Sequence, residues 1–200
     1  VCSSDLNRTE ANLAAMNVIA NVPQADMTEI DRKVVRLYSG WGGLDRQPVM
    51  ARFPKGLPIP EERGLIHEYY TPTIVANEAV RVVRERMASI PREGSDPLIA
   101  LEPSAGIGRF IDAMGESDVR WTAIEWSEVS GRLLKALHPD LSVFAGPFEQ
   151  WIAKEAHAIA GKVGIVLSNP PYPVYRGIAK SFDTNKEYEE SAASAYFLRR

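Results

Sequence analysis

The chain has 200 residues, enough for about one domain with a sizeable core. Hydrophobic residues at 45% and charged residues at 24% are the balance of an ordinary soluble globular protein. The net charge of −3 gives no general hold on phosphates, so contact with nucleic acid would need a local basic patch or a segment outside these residues. Thr9 fits the N-cap of a first helix carrying Leu13, Met16 and Ile19 on one face. Thr28 with Asp31 reads as a capping box. It opens a second helix with Ile30, Val34, Leu37 and Tyr38 facing inward. That helix should break at Ser39-Gly40-Trp41-Gly42-Gly43. Those glycines let backbone approach closely around Trp41, and a plain helix end with a packed tryptophan explains them as well.

Residues 45–64 are rich in proline and glycine and read as a connector. The expected division is therefore a helical arm with its connector, 1–64, and a second domain, 65–200. The second domain opens with His67-Glu68-Tyr69-Tyr70-Thr71-Pro72. Thr71 is expected as N-cap and Pro72 as first residue of a helix with Ile74, Val75, Ala79, Val82, Val83 and Met87. Its free N–H groups would suit a carboxylate ligand, or the helix binds nothing.

From Pro97 onward strands and helices alternate. Leu98 to Leu101 is a short apolar strand. Glu102-Pro103-Ser104-Ala105-Gly106-Ile107-Gly108-Arg109-Phe110 is a glycine turn into a short helix ending near Gly115. Val119 to Ile124 is the second strand, ending in Glu125, and Ser127 caps a helix stopped by Pro139. Leu141 to Phe144 is the third strand, followed by Gly146-Pro147-Phe148. A helix with Trp151, Ile152 and Ile159 ends at Gly161, and Val163 to Leu167 is the fourth strand. The alternation implies an α/β fold: a mostly parallel sheet with right-handed crossovers and helices on both faces.

Ligands in such sheets sit at the strands' carboxyl ends. Gly106 and Gly108 let backbone approach a ligand there. Glu125, about 20 residues on, can accept both ribose hydroxyls, and Phe148 can stack on an adenine. Only those two glycines fit the dinucleotide pattern, which argues against a dinucleotide and allows a nucleoside with a small charged tail. Ser168-Asn169-Pro170-Pro171-Tyr172 follows the fourth strand. Asn169 precedes a proline and is pushed to extended backbone, and neither proline has an N–H. The side-chain oxygen of Asn169 and the carbonyl of Pro170 are then acceptors beside the flat face of Tyr172, a place for a planar base bearing –NH2. A proline turn with Tyr172 as packing is the plainer alternative.

These residues together resemble the S-adenosylmethionine-dependent N6-adenine DNA methyltransferases. Leu101 to Phe110 is similar to that family's cofactor loop, Asn169-Pro170-Pro171-Tyr172 to its catalytic motif, and Tyr70-Thr71-Pro72 to the segment closing over the cofactor's methionine. The resemblance covers roughly residues 65–200 and implies a Rossmann-like class I methyltransferase fold preceded by a small helical arm. It implies S-adenosylmethionine as cofactor, held by Tyr70, Thr71, Glu102, Pro103, Ser104, Gly106, Gly108, Glu125 and Phe148. Asn169, Pro170 and Tyr172 would be catalytic, acting on an adenine flipped out of duplex DNA. The arm with Tyr38 to Gly43 is similar to large methyltransferases of phages and plasmids, some fused to helicases, so a helicase or nuclease partner and a prokaryotic cytoplasm are expected. The order of motifs resembles the group whose target-recognition region lies C-terminal. The chain is accordingly expected to be a fragment, inactive by itself, whose sheet stops after its fourth strand, leaving Val163 to Leu167 as an apolar edge and the helix from Lys186 without the partner strand that would follow it. Pro147 departs from the family, many of whose members place an acid there. A protein glutamine methyltransferase shares the Asn-Pro-Pro-Tyr motif and is the first alternative; a non-catalytic cofactor-binding remnant is the second. Three scattered histidines and the single Cys2 match no ligand spacing, so neither a metal site nor an internal disulfide is expected. No apolar run reaches the length of a membrane span, and no signal-peptide pattern opens the chain.

Overall fold

The computed structural model describes residues 3–59, 68–91, 94, 96–115, 117–171 and 181–200. Along the chain come α1 (Ser3–Asn21), α2 (Glu29–Arg36), α3 (Arg46–Arg52), α4 (Thr73–Met87), β1 (Leu98–Glu102) and α5 (Arg109–Met114). Then follow β2 (Val119–Glu125), α6 (Glu128–Leu137), β3 (Ser142–Ala145), α7 (Phe148–Lys154), β4 (Val163–Val166) and α8 (Ala193–Arg199). They form two compact units, Val1–Tyr70 with Glu128–Asp140, and Thr71–Ser127 with Leu141–Arg200. The segment carrying α6 thus groups with the N-terminal helices.

The first unit is helical. In it α1 packs on α2, α3 and α6, burying Leu13, Met16, Ile19, Val35, Leu133 and Leu134. Thr9 does not cap α1. The helix starts at Ser3, because nothing between there and Thr9 is glycine or proline, and Thr9 is buried within it. The capping box at α2 is present: Thr28 Oγ1 accepts from Asp31 N–H at 3.2 Å, and Asp31 Oδ2 accepts from Thr28 N–H at 2.8 Å. The inward face of α2 differs from the expected one. Val35 and Tyr38 are buried, while Ile30 is 74% exposed and Leu37 is also exposed. Tyr38 sets that face by meeting Trp41 edge-on at 5.7 Å. The expected connector contains α3, capped by Asp45, whose Oδ1 accepts from Gln47 N–H at 3.1 Å.

The second unit is built on a four-stranded sheet, ordered β3-β2-β1-β4 and parallel throughout. Glu102 pairs with Ala123, Glu125 with Ala145, and Leu101 with Val166. The chain therefore steps outward from β1 to β2 to β3 and returns to lay β4 on the other side of β1. That is a Rossmann-like order, with the switch point between β1 and β4. Strand bounds match the sequence pattern within a residue. The helix after β3 is shorter than expected, α7 ending at Lys154 before a 3-10 turn at Ala156–Ala158.

Helix α4 also starts late. Pro72, not Thr71, is its N-cap, with no side-chain capping bond; the residue before a proline is driven to extended backbone. It packs on α5, and the Arg84 guanidinium donates to Met114 O at 2.6 Å. Ala76 and Val80 face inward, whereas Ile74, Val75 and Val82 are exposed. On one side of the sheet, Leu101 and Ile124 pack with Phe148, Trp151 and Tyr196. Helix α8 supplies Tyr196 to that cluster. Strand β4 is the last in the sheet among the described residues, and Val166 on it is exposed.

Candidate functional site

The expected site residues of the second unit converge on the carboxyl ends of β1, β2 and β4. Between β1 and α5 the chain makes a tight turn. Gly106 and Gly108 both have positive φ, +56° and +82°, conformations in which a Cβ is strained. Ala105 N–H donates to Ile124 O at 2.9 Å, and Gly108 N–H to Ala105 O at 2.8 Å. Glu125 pins this turn. Its Oε2 accepts from Gly106 N–H at 2.7 Å, and its Oε1 from Ser127 N–H at 2.7 Å. Its backbone carbonyl accepts from Gly146 N–H at 2.9 Å, so one residue ties together the exits of β1, β2 and β3.

Glu102, the last residue of β1, is 2% exposed. Its Oε2 has no hydrogen-bond partner among the described residues. Burial first, then the neighbouring charges of Glu125 and Asp112, push its carboxyl well above the ordinary range. A buried carboxyl with an empty acceptor is costly unless something donates to it. The third edge belongs to β4. Leu167 N–H donates to Leu101 O at 3.1 Å, continuing the ladder past the strand's end. Beyond it Ser104 Oγ lies 2.8 Å from Ser168 Oγ and donates to Asn169 O at 3.0 Å. Asn169 and Pro170 are half-buried there, and Tyr172 lies outside the described residues.

Two expected residues sit elsewhere. Phe148 is 4% exposed and is packed against Phe197 at 4.6 Å, Trp151 at 6.0 Å and Tyr196 at 6.1 Å. The expectation that it stacks on an adenine is corrected: its ring belongs to the core and has no open face. Tyr70 falls in the first unit. Its hydroxyl donates to Glu68 Oε1 at 2.7 Å and lies 2.5 Å from Ser130 Oγ, while Tyr38 OH donates to the same Glu68 oxygen at 2.9 Å. Burial raises the Glu68 carboxyl, and the three hydroxyls partly offset it. Thr71 precedes α4 and Pro103 follows β1.

Sequence reasoning passed over Trp126. It directly follows Glu125 at the sheet's carboxyl edge and is 55% exposed. A large aromatic next to a strand-terminal acid was the available signal. Among the described residues no group of acids, histidines or cysteines is arranged to hold a metal. No described helix is long and apolar enough to cross a membrane.

A parallel sheet with a glycine turn, a strand-terminal acid and a switch-point loop defines an α/β protein of Rossmann type, a fold in which ligands bind at the strands' carboxyl ends. No family model matches the chain. It is 30% identical over 200 residues to the defense against restriction protein B of Escherichia phage P1; the match spans 99% of this chain but 8% of that protein. A solved structure from Listeria monocytogenes, described as a class I S-adenosylmethionine-dependent methyltransferase, superposes with a TM-score of 0.48 at 15% identity. That superposition covers 90% of this chain and 50% of the other.

Proposed function

We propose that the chain carries the cofactor-binding and methyl-transferring core of an S-adenosylmethionine-dependent N6-adenine DNA methyltransferase. The observation that carries this is the assembly at the switch point: a glycine turn pinned by Glu125, a bare buried carboxyl on Glu102, and the Asn169–Pro170 peptide held beside them. The donor set fits the cofactor. Glu102 Oε2 lacks a donor that a methionine ammonium would provide, Glu125 stands beside the glycine turn where a carboxylate could face a ribose, and Trp126 offers an exposed indole for an adenine ring. S-adenosylmethionine supplies an electrophilic methyl group.

The chain's own residues prepare the acceptor. An adenine amine is a poor nucleophile because its lone pair is delocalised into the ring. Hydrogen bonds from that –NH2 to the Asn169 side-chain oxygen and the Pro170 carbonyl favour a tetrahedral nitrogen with its lone pair out of the base plane. Tyr172 stacks on the flipped base, worth about 1–3 kcal/mol. Positioning then supplies most of the rate. The phage P1 relative is named for defence against restriction, a purpose that adenine methylation would serve. Its far greater length leaves room for DNA-reading parts or a helicase. A glutamine amide offers the same planar –NH2, so a protein glutamine is the alternative acceptor.

The test is labelled-methyl transfer to duplex DNA and, in parallel, to glutamine-bearing protein. We expect label on adenine N6 and its loss in Asn169→Ala with cofactor binding retained. Label on protein glutamine alone selects the alternative, and no binding of S-adenosylmethionine by calorimetry contradicts both.

A further inference from the structure

The β1–β4 ladder cannot continue past Leu167. On the β1 side the next residue in register is Pro103, which has no N–H to give. The chain closes the switch point with side chains instead. Asn169 O only accepts, so the single proton of Ser104 Oγ goes to it, and Ser168 Oγ–H donates to Ser104 Oγ. Ser104 belongs to the glycine turn and Ser168 to the exit of β4. Their hydroxyls thus join the two loops that border the crevice. A peptide group is planar, so fixing Asn169 O fixes the plane containing the Pro170 nitrogen and Cα. That plane sets where the Asn169 side chain and the Pro170 carbonyl begin.

We propose that Ser104 is a positioning residue for methyl transfer: its hydroxyl orients the Asn169–Pro170 peptide from the cofactor turn and need touch neither cofactor nor base. The proposal deepens the methyltransferase function and rests on it for its kinetic consequence, though not for the clasp itself. Ser104 was expected among the cofactor contacts; its hydroxyl is spent on the β4 exit. Ser168 is auxiliary, since it donates to Ser104 and not to the peptide.

Asn169-Pro170 is the one Asn-Pro pair in the sequence, so labelling Asn carbonyl carbon with 13C and Pro nitrogen with 15N gives a single correlated NMR signal from that bond. In the 200-residue chain, Ser104→Ala should shift this carbonyl upfield as it loses its donor, Ser104→Thr should restore it, and Ser168→Ala should move it less. In methyl transfer, Ser104→Ala should lower kcat by about 100-fold, the scale of a misplaced reacting group, with cofactor affinity unchanged, and Ser104→Thr should recover most of the rate. An unmoved carbonyl in Ser104→Ala overturns the clasp whether or not the chain methylates anything. A shifted carbonyl with unchanged kcat, or a rate loss that follows cofactor affinity, overturns the positioning role. Absence of methylation by the unaltered full-length protein, with the carbonyl shift as expected, counts against the proposed function and leaves the clasp standing.

Discussion

The two units each hold an enclosed glutamate, and the two are solved in opposite ways. Glu68 in the first unit receives the hydroxyls of Tyr38, Tyr70 and Ser130. Its backbone carbonyl accepts from Gly42 N–H at 2.9 Å, so the residue is gripped at both ends. Glu102 in the second unit is more deeply buried, stands near Glu125 and Asp112, and leaves Oε2 without a donor. A satisfied carboxylate holds the chain in place. A bare one in a site keeps an acceptor for something that arrives from outside. The contrast separates a structural acid from a binding acid where the residue type alone does not.

The largest effect should come from breaking the grip on Glu68. A Cβ added at Gly40, whose φ is +83°, would stand 2.2 Å from Glu68 O. Overpacking and left-handed strain together put Gly40→Ala at about 3 kcal/mol of lost stability, read as a lower denaturant midpoint. An unchanged midpoint would show that the glycine turn does not hold Glu68. Next, Glu68→Ala should cost about 2 kcal/mol, because tyrosine hydroxyls lose their acceptor, whereas Glu68→Gln, which keeps an acceptor oxygen, should cost much less. Glu102→Gln should do the reverse: stability at neutral pH rises or holds, while S-adenosylmethionine binding weakens. If both positions respond alike, the contrast between them is wrong. The smallest effect is at Trp126. Its replacement by Ala should weaken cofactor binding by about 1–2 kcal/mol, a lost aromatic stack, and leave the denaturant midpoint where it was. Retained affinity would remove the indole from the site.

Much of the sheet was legible in the sequence. Its four strands are apolar runs cut by glycine and proline, and the acid and motif residues at their carboxyl ends follow from chain order alone. The faces of α2 and α4 were not; Ile30, Leu37, Ile74 and Val82 are exposed where a periodic pattern turns them inward. The cap of α3 was readable in Asp45 but hidden by the surrounding proline and glycine. Phe148 and Trp126 could not be told apart locally, both being aromatics just past a strand. Packing from α8, remote in sequence, claims Phe148, and only the assembled core shows that. Glu68 likewise depends on Tyr38 and Ser130, which chain order gives no reason to bring together.

The central claim is that Glu102 waits for a cation. Its folded carboxyl keeps a proton to higher pH than an unfolded one, so the stability it gives is whole below the unfolded value and is lost as pH rises toward the folded one. A cation bound against Oε2 favours the ionised form and lowers that raised value. Binding must then expel a proton across the window between the ordinary carboxyl range and the raised one. The direct measurement is calorimetry of S-adenosylmethionine binding in buffers of different ionisation enthalpy, on the unaltered chain and on Glu102→Gln. The account predicts proton release on binding, affinity that climbs with pH through that window, and loss of both in Glu102→Gln. Binding of equal strength and equal proton release in the two proteins would contradict it.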